Sequence, residues 1–374
     1  MRFTVSSSAL NSRLTSLSKV INSKNAMPIL DCFLFEVANN RMIITASDGE
    51  NVMRTSLTLD QCEGDGKFAV SNRTILDAVK ELPEQPLTID VDIVSMAIKV
   101  VYQNGLYNFI GQNPETYPTV QPMTDNATVL TLPNNVLADN ITRSIFATAS
   151  EELRPVMNGI YFDLTSESLA VVASDGHKLV RNKYFGVKSE NPTSFILPKK
   201  PATLLKNILG KDDSDVVIRF DDRNADITFG DTVLQCRLIE GRYPNYNSVI
   251  PQDNPNHLTI DRKVLGGALR RVLPFASESS QLVRLHLEMG KMEISSEDVD
   301  FSTSAKEEIV CDYNGSTMNI GFKGSSLSEI LNNLSSEEIV LELADPSRPC
   351  LIIPSEQPEN EDVLMLIMPM LLND

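Results

Sequence analysis

Three histidines, His177, His257 and His286, are the chain's whole supply of side chains that titrate near neutrality. His177 closes the phrase Ser174-Asp175-Gly176-His177, which offers a hydroxyl, a carboxylate and an imidazole within four residues. Acyl transfer needs such groups as nucleophile, base and orienter in one hydrogen-bonded chain. Residues this close on a turn cannot easily form it, and no G-x-S-x-G phrase occurs. His177 therefore reads as a turn residue, and an enzyme built on Asp175 and His177 is a distant reading. Neither a G-x-x-x-x-G-K-[ST] nor a G-x-G-x-x-G phrase cradles a phosphate. The five cysteines, Cys32, Cys62, Cys236, Cys311 and Cys350, are scattered without the two-residue spacing of metal or redox sites. The acidic pairs Asp212-Asp213 and Asp221-Asp222 read as solvated loops. No catalytic residue, metal or cofactor is expected.

Two other features carry more chemistry. One is the apolar C-terminal run Leu364-Met-Leu-Ile-Met-Pro-Met-Leu-Leu372, whose Met368, Pro369 and Met370 are expected at the surface as part of an adaptable hydrophobic groove. The other is the placement of positive charge. The chain carries 33 basic and 50 acidic residues, a net charge of -17. Six helical windows (1 to 30, 72 to 82, 134 to 149, 198 to 211, 261 to 275, 323 to 333) hold 16 basic and 5 acidic residues, against 17 and 45 elsewhere, so the helices carry +11 and the remainder -28. Glu favours helices as much as Lys and Arg do, so propensity alone does not explain the split. Lys24, Lys199, Lys200, Lys206, Lys211, Arg270 and Arg271 lie in the three richest windows. Such a face suits phosphate contact without base readout, while the acidic remainder repels DNA from other surfaces.

The elements that must position these groups repeat at the scale of a domain. Met42-Ile-Ile-Thr-Ala-Ser-Asp-Gly49, Leu169-Ala-Val-Val-Ala-Ser-Asp-Gly176 and Met292-Glu-Ile-Ser-Ser-Glu-Asp298 are three versions of a strand ending in an acidic turn. Tyr117-Pro118 recurs as Tyr243-Pro244, and the third copy ends at Pro369. Each copy opens with a helical pattern (Leu10, Leu14, Leu17, Ile21; Val136, Ile141, Ile145; Val264, Ala268, Leu269, Val272) and carries a second before a later strand. The fold class is α+β, with three repeated domains of two helices and mostly antiparallel strands. The boundaries are 1–125, 126–252 and 253–374.

At 374 residues and 42% hydrophobic, three such cores are affordable. The N-terminus lacks the apolar stretch of a signal peptide and no run of about 18 apolar residues occurs. A cytoplasmic location is expected. A second reading, an acidic scaffold that binds partner peptides without DNA, fits the composition too.

The phrases Met1-Arg-Phe-Thr-Val5, Met27-Pro-Ile-Leu30, Asn158-Gly159 leading to Ala173-Ser-Asp-Gly-His-Lys-Leu179, Gly241-Arg-Tyr-Pro244 and Met368-Pro-Met370 resemble the beta subunit of the bacterial DNA polymerase III, the DNA sliding clamp, over essentially the whole chain. The resemblance implies a non-catalytic processivity factor, a head-to-tail homodimer whose six domains close a ring around double-stranded DNA, with helices lining the hole. It implies DNA contacts at Lys24, Arg73, Lys199 and Lys200. It also implies a peptide pocket for the polymerase alpha subunit, the clamp loader, and repair and translesion polymerases. By motif position that pocket holds Arg154, Met157, Ser174, Gly176, His177, Lys178, Leu179, Pro244, Val249, Leu366, Met368, Pro369 and Met370. The dimer interface falls on Tyr107 and Phe109 from one end and Phe275 from the other. Pro155 and Val156 stand where some members have aromatics, Leu371 stands where a basic residue is frequent, and Asn373-Asp374 extends the tail. Gly266-Gly267 and Pro274 weaken a helix expected to line the hole.

Overall fold

The computed structural model describes residues 1–118, 123–124, 126–150, 153–210 and 214–372. Lys211, Asp212 and Asp213, the boundary residue Asp125, and Asn373-Asp374 lie outside the described residues.

The same element order occurs three times. The first pass is β1 (Arg2–Ser6), α1 (Ser7–Ser18), β2 (Cys32–Ala38), β3 (Arg41–Ser47), β4 (Asn51–Thr58), a short β5 (Gln61–Glu63), β6 (Gly66–Ser71), α2 (Asn72–Val79), β7 (Pro86–Asp92), β8 (Ala97–Tyr102) and β9 (Gly105–Ile110). The second is β10 (Thr128–Pro133), α3 (Asn134–Ser144), β11 (Gly159–Leu164), β12 (Leu169–Ser174), β13 (Lys178–Tyr184), β14 (Thr193–Pro198), α4 (Lys199–Ile208), β15 (Asp215–Phe220), β16 (Asn224–Phe229) and β17 (Thr232–Arg237). The third is β18 (Asn256–Asp261), α5 (Arg262–Val272), β19 (Leu282–Glu288), β20 (Lys291–Asp298), β21 (Thr303–Val310), a short β22 (Asp312–Tyr313), β23 (Met318–Lys323), α6 (Gly324–Asn333), β24 (Glu338–Leu343), β25 (Cys350–Pro354) and β26 (Glu361–Ile367). Every named strand pair is antiparallel.

Local chemistry starts the helices where the spacing expects them. Ser6 accepts the Ala9 N–H, Ser71 the Thr74 N–H, and Asp261 those of Lys263 and Val264. Leu10, Leu14 and Leu17 are buried on one face of α1, and Leu265, Ala268, Leu269 and Val272 on one face of α5. The Asp261 cap helps α5 run unbroken through Gly266-Gly267. A Cβ on Gly267 would lie 3.3 Å from an Arg271 guanidinium nitrogen, so the glycine leaves that side chain its room.

The strands gather into two compact units rather than three. One holds residues 1–138 and 204–238, the other 139–203 and 239–374. In the first unit the order β10-β15-β16-β17-β4-β3-β2-β6 makes an eight-stranded sheet, and β5-β1-β7-β8-β9 a five-stranded one. In the second, β14-β11-β12-β13-β26-β25-β24-β18-β22 makes nine strands and β21-β20-β19-β23 four. Each large sheet joins two sequence copies by one rule: the last strand of a copy pairs with the third inner strand of the copy before it. Thus β17 pairs with β4 and β26 with β13.

Candidate docking groove and basic surface

Strand alternation puts two cores on opposite faces of the nine-stranded sheet. Val180, Val363, Met365 and Ile367 turn toward the helices of the third copy. Leu179, Leu364, Leu366 and Leu351 turn the other way and meet Ala170, Val172, Ile196, Tyr243, Tyr246 and Ile250, with Val156, Tyr161, Ile239 and Ile353 at the edges. Among the described residues no α-helix covers this second face. The segment after Gly241 does so, by laying Tyr243 flat on Tyr161, ring centroids 4.7 Å apart and planes within 1°. Tyr246 adds an edge contact and donates to Asp163 at 2.8 Å. Burial pushes the Tyr243 and Tyr246 phenols well above their usual range.

The turn Ser174–His177 forms one rim. Ser174 Oγ donates to the Lys178 carbonyl at 2.9 Å and accepts the Gly176 N–H. Asp175 Oδ1 accepts the N–H groups of His177 and Lys178, each at 2.9 Å. Gly176 has φ +91°, and a Cβ there would stand 3.1 Å from an Arg154 guanidinium nitrogen, so this residue type lets Arg154 lie against the turn. Met368 donates its N–H to the His177 carbonyl at 2.8 Å, and Met370 to that of Gly321 at 2.8 Å. The C-terminal segment thus runs directly beside the turn, held between two elements. Pro244, Val249 and Met368 are exposed, Pro369 and Met370 half-buried, and Met157 is buried.

Lys178 requires a correction. Its side chain lies on the same sheet face as Val180, away from Leu179, and its ammonium sits 2.8 Å from Asp175 Oδ2 and 3.1 Å from Glu329 Oε2 on α6. Burial opposes both charges, but the mutual ion pair and hydrogen bonds outweigh it, holding Asp175 below the usual carboxylate range and Lys178 above its own. Lys178 therefore braces the turn from behind. Motif spacing does not reveal Tyr161, Tyr246, Ile250, Leu351 and Leu364, because strand alternation and cross-strand register decide which residues share this face.

The equivalent face in the first unit shows what makes this one apolar. There Ser47-Asp48-Gly49 repeats the turn, with Asn51 Nδ2 donating to Asp48 Oδ2 at 3.0 Å where Lys178 reaches Asp175. Val52 pairs with Gln235 as Leu179 pairs with Leu366, so register places Arg237 where the other junction has Met368. A cavity of about 400 Å³ there is lined by Glu50, Arg223, Gln235 and Arg237 beside Pro118. One backbone plan carries a polar surface in one case and an apolar one in the other.

The basic residues are mostly exposed. Arg73 is 90% exposed in the first turn of α2, and its nearest carboxylate, Asp77, is 3.9 Å away. Lys24 is exposed in the segment after α1, Lys199 is exposed and Lys200 half-buried at the start of α4, and Lys206 is exposed in its last turn. Arg270 is exposed on α5. Arg271 departs from the expectation: both its Nε and an NH group bind the Glu307 carboxylate, so its charge is largely compensated. Tyr107 and Phe109 are half-buried on β9 and Phe275 is 40% exposed after α5.

The family descriptions for the N-terminal, central and C-terminal domains of the DNA polymerase III beta subunit match residues 1–121, 131–245 and 247–371. The chain belongs to the DNA polymerase III beta subunit family. It is a sliding clamp, a subunit without catalytic chemistry of its own. The beta sliding clamps of Pseudomonas putida KT2440 and Escherichia coli K12 are each 26% identical to it, with 100% of both chains covered in each comparison. A sliding clamp from Bartonella birtlesii bound to griselimycin is 27% identical, with a TM-score of 0.90 over 100% of both chains. Among the described residues no helix is long and apolar enough to cross a membrane.

Proposed function

We propose that this clamp encircles duplex DNA as a head-to-tail homodimer and tethers the polymerase alpha subunit, the clamp loader, and repair and translesion polymerases through the groove between the Ser174–His177 turn and Met368–Met370. The domains are 1–125, 126–252 and 253–374. The observation that supports the docking role is the apolar cluster around Leu179, Leu366 and Tyr243, which among the described residues is covered by the segment after Gly241 and by no α-helix, with the exposed Gly176-His177 and Met368 beside it. An extended partner segment with apolar side chains fits it.

For DNA, Lys24, Arg73, Lys199, Lys200, Lys206 and Arg270 are the contacts, with Arg271 weakened by Glu307. No acidic residue occupies the first turn of any of the six helices, although carboxylates stand at two of the N-termini, Asp261 capping α5 and Glu84 accepting the Ser8 N–H of α1. Contacts of this kind hold the backbone without reading bases, which suits sliding.

The test is retention on DNA of different topology. After loading, a topological clamp stays on a nicked circle and runs off when the circle is linearised. Equal retention on both forms would overturn encirclement and favour an acidic scaffold. Docking is tested separately, by whether Leu366→Asp abolishes polymerase stimulation while leaving the dimer intact.

A further inference from the structure

We infer that the junction between the first and second copies, where β17 meets β4, is a built-in flexure, the place where the chain bends when the ring parts to admit DNA, while the junction of β26 with β13 is pinned. The inference rests on the ring proposed above and adds where in the chain its opening motion falls.

The two junctions follow one backbone plan, so they can be compared position by position. The turn residues Asp48 and Asp175, and the first helical residues Ser7 and Asn134, are each 127 positions apart. Thr55 thus stands where the second junction has Asn182, Arg13 where it has Asn140, and Ser16 where it has Arg143. On the other strand Cys236 pairs with Asn51 as Ile367 pairs with Lys178. Thr232, Asp231 and Gly230 therefore answer to Val363, Asp362 and Glu361.

The second junction is tied by charged groups shielded from water. Its ladder runs from Lys178 with Ile367 to Tyr184 with Glu361. Glu361, 9% exposed, binds Arg143 through one carboxylate oxygen and accepts from Asn140 through the other at 3.2 Å. Asn182 donates to Ser144 Oγ at 3.0 Å, and Arg181 pairs with Asp362 at 2.6 Å. Parting such groups leaves charge without a partner away from water, which is strongly unfavourable.

The first junction replaces this arrangement with space. Its ladder is shorter, from Asn51 with Cys236 to Thr55 with Thr232, because the tight turn Gly230-Asp231 precedes β17 where β26 already begins at Glu361. Glycine stands for the glutamate and serine for the arginine, so the buried ion pair has no counterpart. A cavity of about 310 Å³ lies there instead, lined by Arg13, Ser16, Thr55, Gly230, Asp231 and Thr232 among others. Among the described residues, nothing beyond the chain neighbours comes within 4 Å of where a Gly230 Cβ would stand. Arg13 pairs with Asp231 at 3.3 Å across this seam, with side chains 35% and 63% exposed, and Lys19 donates to the Asn207 carbonyl at the surface. The buried contact of the Thr55 and Thr232 hydroxyls, 3.1 Å apart, carries no charge. Exposed pairs add little, and a polar cavity admits water that replaces such bonds as the seam widens. A ring that parts at one boundary must bend within its chains, and the bend falls where separation is least opposed.

Locking each junction tests this. Thr55→Cys with Thr232→Cys, opposite one another in the register, can be oxidised to close the first junction, and Asn182→Cys with Val363→Cys closes the second at the equivalent pair. The oxidised first lock should load onto nicked circles roughly fivefold more slowly than the same protein after reduction, and the oxidised second lock within about twofold of its reduced form. A first lock that loads at its reduced rate, or a second lock that slows loading as much as the first, would overturn the flexure. Amide exchange in the wild-type chain gives an independent reading, because peptides 51–58 and 232–237 should exchange roughly tenfold faster than 178–184 and 361–367. Equal or inverted rates would also overturn the inference. A wild-type chain that never stays on circles would overturn the ring instead, and the exchange rates would still decide which junction yields.

Discussion

Replacing Lys178 by Met keeps most of the side chain's volume and removes its charge. The ammonium lies between Asp175 and Glu329, with side-chain exposures of 10%, 22% and 49% for the three residues. Removing one partner of a fully buried ion pair costs about 3 to 5 kcal/mol. Here Asp175 keeps two backbone N–H donors and Glu329 is half in water, so we expect a loss of about 2 kcal/mol, whereas Glu329→Gln removes only a half-exposed pair and costs about 0.5 kcal/mol. The carbonyl of His177 holds Met368, so loosening the turn also displaces the C-terminal segment, and affinity for a ligand of the proposed groove should fall further than stability alone explains. Urea unfolding gives the first quantity, and titration with an extended apolar peptide gives the second. Asp175 has a lowered folded value, so its contribution is present above about pH 3.9 and is lost as pH falls through that lower value. Lys178→Met should shrink this acid-sensitive part. Unfolding and binding unchanged in Lys178→Met would refute the brace and leave the turn held by Ser174 and backbone bonds alone.

Changing Lys24 and Arg73 to Ala should lower the salt dependence of DNA binding by about 0.9 in the log–log slope for each phosphate no longer neutralised, and an unchanged slope would remove both residues from the DNA surface. His286 binds Asn319 Oδ1 at 2.7 Å and Glu288 Oε1 at 3.1 Å, which raise its pKa above the usual value. That stabilisation is complete below about pH 6.5 and is lost as pH rises through the raised value, so the wild type should gain stability between pH 8 and 6 while His286→Gln should not, as thermal melts would report. Gly241→Ala should destabilise the groove by about 1 to 3 kcal/mol in urea unfolding, because φ is +133° and the new Cβ would sit 2.8 Å from Val156 Cγ1. Arg143→Met should cost about 3 kcal/mol, since it strands the Glu361 carboxylate that Arg143 and Asn140 bind among buried groups.

The chain's own letters determine much of this protein. Leucines three and four apart specify the helices, alternation specifies strands such as β7 and β15, and the recurring Ser-Asp-Gly and Tyr-Pro phrases announce three copies, because each depends on neighbours along the chain. The phrases from which the docking groove is proposed stand out for the same reason, being runs of neighbouring residues. Which strands join copies is not, since hydrogen bonding between β17 and β4 links residues about 180 positions apart and leaves no local trace. For that reason motif position puts Lys178 in a groove when its side chain points behind it, and charge counting treats Arg271 as free when Glu307, thirty-six residues on, binds it. Residue type makes one junction apolar and its counterpart polar, but only the pairing of distant strands shows that Leu366 and Gln235 occupy the same place in one backbone plan.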